Sequence, residues 1–178
     1  NLLRVGDRTG AADYFRKALD RAPNDGEALR ALEDIYLEGN DTAALYDVLV
    51  RRAELSADVI EERELRRQAG EAAVTLGKPD EAIVAFERVW ALQPGDVEAQ
   101  NALEKLYRQT GQTSELARLG ERQLALGMTE RAAVGTRFRL AELEAGELAN
   151  KSRALDHLRA VLAGDAEHPG AVAMLEQM

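Results

Sequence analysis

Cysteine is absent from this chain, which removes disulfides, thiolate metal sites and cysteine nucleophiles at once. The absence leaves the compartment open, because reducing and oxidising surroundings both tolerate a cysteine-free protein. Aromatic residues make up only 4% of the chain and proline occurs four times. Val, Ile and Phe are sparse, so a large sheet would lack its usual material. Only two histidines occur, His157 and His168. They have no HExxH or other metal-ligand spacing, so surface or capping roles are expected of them and no metal site is. No run of Lys or Arg exceeds two residues and the formal net charge is -9. That balance opposes phosphate neutralisation, so neither nucleic acid nor an anionic membrane surface is an expected partner. No stretch approaches the roughly 18 to 20 apolar residues that cross a bilayer, so membrane insertion is not expected, and no signal peptide is recognisable. The first residue is Asn1 rather than Met, and Leu2 and Leu3 look like the middle of a helical pattern. The chain is therefore expected to be a piece of a longer protein.

What is present is helix-forming material. Ala, Leu, Glu and Arg dominate a chain of 178 residues that is 46% hydrophobic and 31% charged. That length suffices for a good core without staples, and an all-α fold is the expectation. The same richness in Ala, Arg, Glu and Leu is compatible with a bacterium of high GC content.

The strongest signal is self-similarity. Residues 6–73 align with 77–144 at an offset of 71, without a gap. Gly6 falls on Gly77, Ala11 on Ala82, Phe15 on Phe86, Pro23 on Pro94, Leu32 on Leu103 and Tyr36 on Tyr107. One residue of further shift starts a third copy, in which Ala154, Leu158, Val161, Ala171 and Leu175 match Ala82, Phe86, Val89, Ala99 and Leu103. The expected organisation is one array over 1–178, with double units at about 6–76 and 77–147 and a partial unit at 148–178.

Within each long unit the apolar residues recur at helical spacing between breakers. Ala11, Ala12, Phe15, Ala18 and Leu19 make one face, stopped by Pro23-Asn24-Asp25-Gly26, where Asn24 or Asp25 can cap the next helix. Gly39-Asn40-Asp41-Thr42, Gly77-Lys78-Pro79, Pro94-Gly95-Asp96 and Gly111-Gln112-Thr113 punctuate the rest, with Pro79 suited to a first turn. About ten helices joined by loops of a few residues result, as antiparallel hairpins require.

These residues resemble the tetratricopeptide repeat (TPR) family. The run from Gly77 through Glu81, Ala82, Phe86, Val89 and Leu92 to Pro94 looks like the second half of a TPR motif, and Gly6, Ala11, Phe15, Ala18, Leu19 and Pro23 repeat it. Leu32 with Tyr36, and Leu103 with Tyr107, look like the first half. The units at 26–58 and 97–128 depart from the motif. Leu45 and Leu116 replace its small Ala, the closing Pro is lost, and Gly120 and Gln123 stand where a large apolar residue and Ala are usual. The resemblance implies a right-handed superhelical solenoid whose first helices line a concave groove. It assigns the core to Phe15, Phe86, Leu32, Leu103, Tyr36 and Tyr107, with Trp90 also packed and Tyr46 less constrained and exposed.

Carried over position by position, the groove would be lined by Glu27, Arg30 and Asp34, then Arg67, Glu71 and Val74. Asn101, Lys105 and Arg108 follow, then Phe138 and Glu142. Arg30 with Asp34 and Arg67 with Glu71 are i,i+4 pairs expected to neutralise each other. Asn101, Lys105 and Arg108 form the one basic stripe, suited to an acidic peptide unless Glu98 and Glu104 neutralise it. The set departs from the Lys/Asn-rich clamp of chaperone-binding TPRs, so a chaperone's acidic C-terminus is not the expected ligand.

Chemical sites find little support. Glu61, Glu62 and Glu64, and Glu142, Glu144 and Glu147, read as wet helix faces, the first set beside Arg63, Arg66 and Arg67. Gly6-Asp7-Arg8-Thr9-Gly10 lacks the Lys-Ser/Thr ending of a phosphate loop, and Ala22 occupies a ligand position that a calcium loop over Asp20–Gly26 would need. No catalytic residue, cofactor or metal is expected. Three readings remain: a protein-interaction scaffold, an architectural spacer or end-to-end self-assembly array, and a regulatory region beside a catalytic domain outside this stretch.

Overall fold

The computed structural model describes residues 8–178. Gly6, the Leu2-Leu3 half-helix and the first two residues of the Gly6–Gly10 loop lie outside the described residues. Ten α-helices follow one another: α1 (Arg8–Arg21), α2 (Gly26–Gly39), α3 (Thr42–Leu55), α4 (Val59–Thr75), α5 (Pro79–Leu92), α6 (Val97–Thr110), α7 (Thr113–Ala125), α8 (Glu130–Ala145), α9 (Lys151–Gly164) and α10 (Pro169–Gln177). The connections run from two to five residues, and no strand occurs among the described residues.

Breakers and caps act where the sequence places them. Asp25, not Asn24, caps α2, its carboxylate accepting from the backbone N–H of Glu27 at 3.0 Å and of Ala28 at 3.1 Å. Asp41 does the same for α3, Asp58 for α4 and Asn150 for α9. Asn40 ends α2 in the left-handed region at φ 53°, where an amide side chain is tolerated. Pro79 opens α5. His168 takes the capping role, its Nδ1 accepting from Ala171 N–H at 3.2 Å at the start of α10.

The chain divides into two compact units, with the boundary between Ala99 and Gln100 inside α6. In the first, α1 packs on α2, α2 on α3, α3 on α4 and α4 on α5. One cluster joins Ala11, Leu19, Leu29, Leu32, Ile35, Tyr36 and Val48; a second joins Leu49, Ala53, Leu65 and Ala69. In the second unit, α7 packs on α8, α8 on α9 and α9 on α10. Ala141, Leu158, Val161 and Ala171 form a cluster there, flanked by partly buried Phe138, Leu162, Met174 and Met178.

Five of the six assigned core residues are buried: Leu32, Leu103, Tyr36, Tyr107 and Phe86. Trp90 is buried with them. Phe15 differs, being only half-buried. Phe86 rests on Gly70 of the preceding α4, whereas α1 is the first described helix and has no described predecessor to cover Phe15. Tyr46 is half-buried rather than exposed, with the Lys78 ammonium 5.2 Å from its ring centroid.

Candidate interaction surface

With leucines and tyrosines turned to the core, the first helix of each hairpin leaves a polar face outward. In the first unit Glu27, Arg30 and Asp34 of α2 are exposed, as are Glu71 and Val74 of α4, while Arg67 is half-buried. Arg67 forks onto Glu64 at 2.6 Å and also meets Glu71, the pairing expected from the sequence. Arg67, followed by Gln68, holds the Glu64 carboxyl below its ordinary value. Arg30 does not pair with Asp34. Its Nη2 lies 3.7 Å from Glu61 Oε1 instead, because α4 brings a carboxylate already partnered by Arg52 within reach.

The Glu61, Glu62, Glu64 cluster is not a bare wet face either. Glu61 accepts from the Ser56 hydroxyl at 2.9 Å and from Arg52 at 2.7 Å. Ser56 first and then Arg52 hold its carboxyl below the usual range against the opposing effect of burial. Arg52 also pairs with Glu33, so one guanidinium joins α2, α3 and α4. Glu62 is held low by Arg88 of α5, whose fork reaches it at 2.7 and 2.9 Å. Of Arg63, Arg66 and Arg67, Arg67 is the one seen in an ion pair within this cluster; the other arginines paired there, Arg30, Arg52 and Arg88, come from other helices.

In the second unit Asn101, Lys105 and Arg108 of α6 are all exposed and line one shallow concavity together with Glu104. Glu104 engages Arg108 at 2.6 Å, one turn away, and so offsets part of the stripe. Among the described residues neither Asn101 nor Lys105 has a side-chain partner. Phe138 and Glu142 of α8 line a second groove with Lys151, Met174, Gln177 and Met178. Phe138 also packs, half-buried, its ring 4.7 Å from that of His168.

Two expectations about titratable groups fail here. His157 is buried, with Nε2 3.2 Å from Glu121 Oε1. It lies three residues after Ala154 and four before Val161, on the buried stripe of α9. Glu144 is only 1% exposed, for the same kind of reason: Leu140 and Ala141 precede it by four and three residues on the buried stripe of α8. Arg153 Nη1 stands 3.0 Å from Glu144 Oε1, a contact at ion-pair distance that falls short of hydrogen-bond alignment. Arg153 Nη2 meets Glu121 at 2.7 Å. Glu121, Glu144, Arg153 and His157 therefore tie α7, α8 and α9 together.

A pocket that the motif positions do not foretell lies between α6, α7 and α8. It is lined by Glu104, Arg108, Leu116, Leu119, Gly120, Gln123, Thr136, Arg139, Leu140 and Leu143. Its signal in the sequence is the double departure at Gly120 and Gln123, where bulk is removed and an amide put in place of a methyl group.

Both copies of the Leu–Tyr pair are buried. Leu32 and Tyr36 in α2, and Leu103 and Tyr107 in α6, are buried on the first helix of their hairpins, while Ala82 and Phe86 are buried on a second helix. The fold is that of a TPR-like helical repeat. Solved structures similar to this TPR-like chain include YrrB, described as a TPR protein with an unusual peptide-binding site (16% identity, TM-score 0.48, 98% of this chain and 87% of that one). MamA is similar at 20% identity with a TM-score of 0.47, covering 91% and 85% of the two chains. By sequence the chain is 30% identical over 130 residues to cellulose synthase operon protein C of Pseudomonas fluorescens (strain SBW25). That match takes in 70% of this chain but only 10% of the relative. No family model matches. Among the described residues no helix is long and apolar enough to cross a membrane, and no group of three or more His, Asp or Glu side chains is placed to hold a metal ion.

Proposed function

We propose that this chain is a protein-binding scaffold that holds an acidic peptide or helix on the exposed face of α6 and carries out no chemistry itself. The observation behind the reading is the stripe Asn101, Lys105 and Arg108. It stands exposed on a helix whose other side is anchored by Leu103 and Tyr107. In a chain of net charge -9, a face presenting an amide and a free ammonium beside an ion-paired guanidinium is distinct. It would steer an acidic segment mainly through the association rate. In this reading Phe138 and Glu142 of the same unit add complementarity, while Arg30 and Arg67 of the other unit are already engaged by carboxylates. Likeness to a stretch of a cellulose synthase operon protein makes the components of a polysaccharide-synthesis assembly the first partners to try.

The test is selection of peptides from a phage-displayed library on the intact chain, followed by titration. Selected sequences are expected to be rich in Asp and Glu. The Lys105→Glu, Arg108→Glu double variant, folded by circular dichroism, is expected to bind them about tenfold or more weakly and with less dependence on salt. Unchanged affinity in the double variant would remove the stripe from the mechanism. Concentration-dependent oligomers in sedimentation, with no peptide selected, would favour the architectural reading.

A further inference from the structure

We infer that the pocket between α6, α7 and α8 is an anchor site for one aspartate or glutamate side chain of the bound segment. The inference rests on the scaffold reading above and names the chemistry its ligand must carry. Four observations lead to it.

The pocket has a designed-in opening. Gly120 contributes no side chain to α7, and a Cβ there would already stand 3.0 Å from Leu140 Cδ2, so α8 approaches closely at that point. Leu116, Leu119, Leu140 and Leu143 supply apolar walls. Such walls lower the local dielectric and strengthen any charge contact made between them.

Two of the polar groups lining it are donors that no described carboxylate takes up. Gln123 is 7% exposed, and no other described residue hydrogen-bonds its amide, so its NH₂ is open to a guest. Arg139 is exposed at the pocket's edge and makes one hydrogen bond, to the Thr136 hydroxyl at 3.3 Å. No carboxylate pairs with Arg139 among the described residues. Other exposed arginines of the chain are matched by a carboxylate, as Arg88 is by Glu62 and Arg108 by Glu104.

Charge and shape then select the guest. The lining holds two guanidiniums, Arg108 and Arg139, against the single carboxylate of Glu104, and Glu104 is taken by Arg108 at 2.6 Å. A carboxylate can accept from the Arg139 fork and from the Gln123 NH₂ together. A lysine or arginine guest would be repelled, and an apolar one would leave both donors unpaired. Finally, the pocket shares Glu104 and Arg108 with the concavity of Asn101 and Lys105. A segment drawn to the exposed stripe therefore has a carboxylate receptor alongside it.

The experiment is a titration of the uniformly ¹⁵N-labelled chain, followed by proton–nitrogen correlation spectra. Three probes are used: acetyl-Ala-Ala-Glu-Ala-Ala-amide, the same peptide with Gln in place of Glu, and sodium acetate. The Glu peptide is expected to shift the Gln123 side-chain amide and the Arg139 Nε–H saturably, while the Gln peptide leaves both in place. Acetate at equal concentration is expected to move them less and without saturation, which separates a segment-borne carboxylate from a free anion. Arg139→Gln and Gln123→Leu, each with native spectral dispersion, should each weaken the Glu peptide by about tenfold, the loss of one charge-assisted contact. Equal shifts with the Gln peptide, saturation by acetate alone, wild-type affinity in both variants, or shifts confined to Asn101 and Lys105 would each overturn the inference. Readout in the unaltered protein does not depend on either variant folding. If library-selected peptides still require Lys105 and Arg108 while this pocket stays silent, the anchor fails and the scaffold reading stands.

Discussion

The aromatic ring of Phe86 in α5 lies against the bare backbone of Gly70 in α4, so close that a Cβ on Gly70 would stand 2.8 Å from Phe86 Cε2. A large side chain on the second helix of the hairpin is met by the smallest one on the first, and both are buried. Gly70→Ala is expected to cost roughly 1 to 3 kcal/mol through overpacking, and Phe86→Ala about 3 to 5 kcal/mol through the cavity it leaves. Urea unfolding of both variants and of Gly70→Ala with Phe86→Leu checks the relation. The double variant should recover part of the Gly70→Ala loss, and strict additivity would show that the two residues do not share one space.

The buried Glu144 gives an asymmetric expectation. Arg153→Met removes the cation 3.0 Å away and leaves a carboxylate that is 1% exposed. The loss should be roughly 1 to 3 kcal/mol. Glu144→Met removes the buried charge itself and should be close to neutral, because replacing an ionic group with an apolar one of similar size often is. Chemical denaturation of the two single variants decides; equal losses from both would argue that the contact, not the stranded charge, sets the energy.

Acid should loosen the first unit through Glu61, Glu62 and Glu64, whose carboxyls are all held below the ordinary value of 4.5. A group whose pKa falls on folding contributes stability that is fully present above the unfolded value and is lost as pH drops through the folded one. Glu62→Gln removes one such group, the one gripped by Arg88. The decline in unfolding midpoint as pH falls below 4.5 should be shallower in that variant than in the parent. An identical decline would show that the Glu62–Arg88 pair is not linked to folding.

The Asp25 carboxylate caps the start of α2. Asp25→Ala should cost about 1 kcal/mol, whereas Asp25→Asn should keep most of the cap. Thermal unfolding of the pair is sufficient, and a similar loss in both would point to charge at the helix end rather than the hydrogen bonds.

Helix positions were legible because breakers and caps act locally. Pro79, Asp25, Asp41 and Gly77 need only their own few residues of backbone to stop or start a helix. Burial was legible wherever an apolar stripe was unbroken, as at Leu32, Tyr36, Leu103 and Tyr107. His157 and Glu144 are buried against the habit of their residue types, in keeping with their spacing from Ala154, Val161 and Ala141. Ionisable side chains are ordinarily exposed, and the tertiary partners Glu121 and Arg153, which lie on or reach from neighbouring helices, make this burial tolerable.

The groove is where sequence reading stopped short. It located Asn101, Lys105 and Arg108 on one face, since positions four and three apart share a side of a helix. It could not see that Arg30 reaches Glu61 rather than Asp34, that Arg52 meets Glu33 at a separation of 19 residues, or that Arg88 meets Glu62 at 26. Nor could it show Arg139 and Gln123 facing one pocket. The sequence alone determined the ten helices, their breaks and most of the buried face, because these follow from backbone propensity and a 3.6-residue period. Tertiary structure decided which charges meet and where a cavity remains. Both depend on how closely neighbouring helices approach, and that distance is set by side-chain volumes on two helices at once, as Gly70 with Phe86 and Gly120 with Leu140 show.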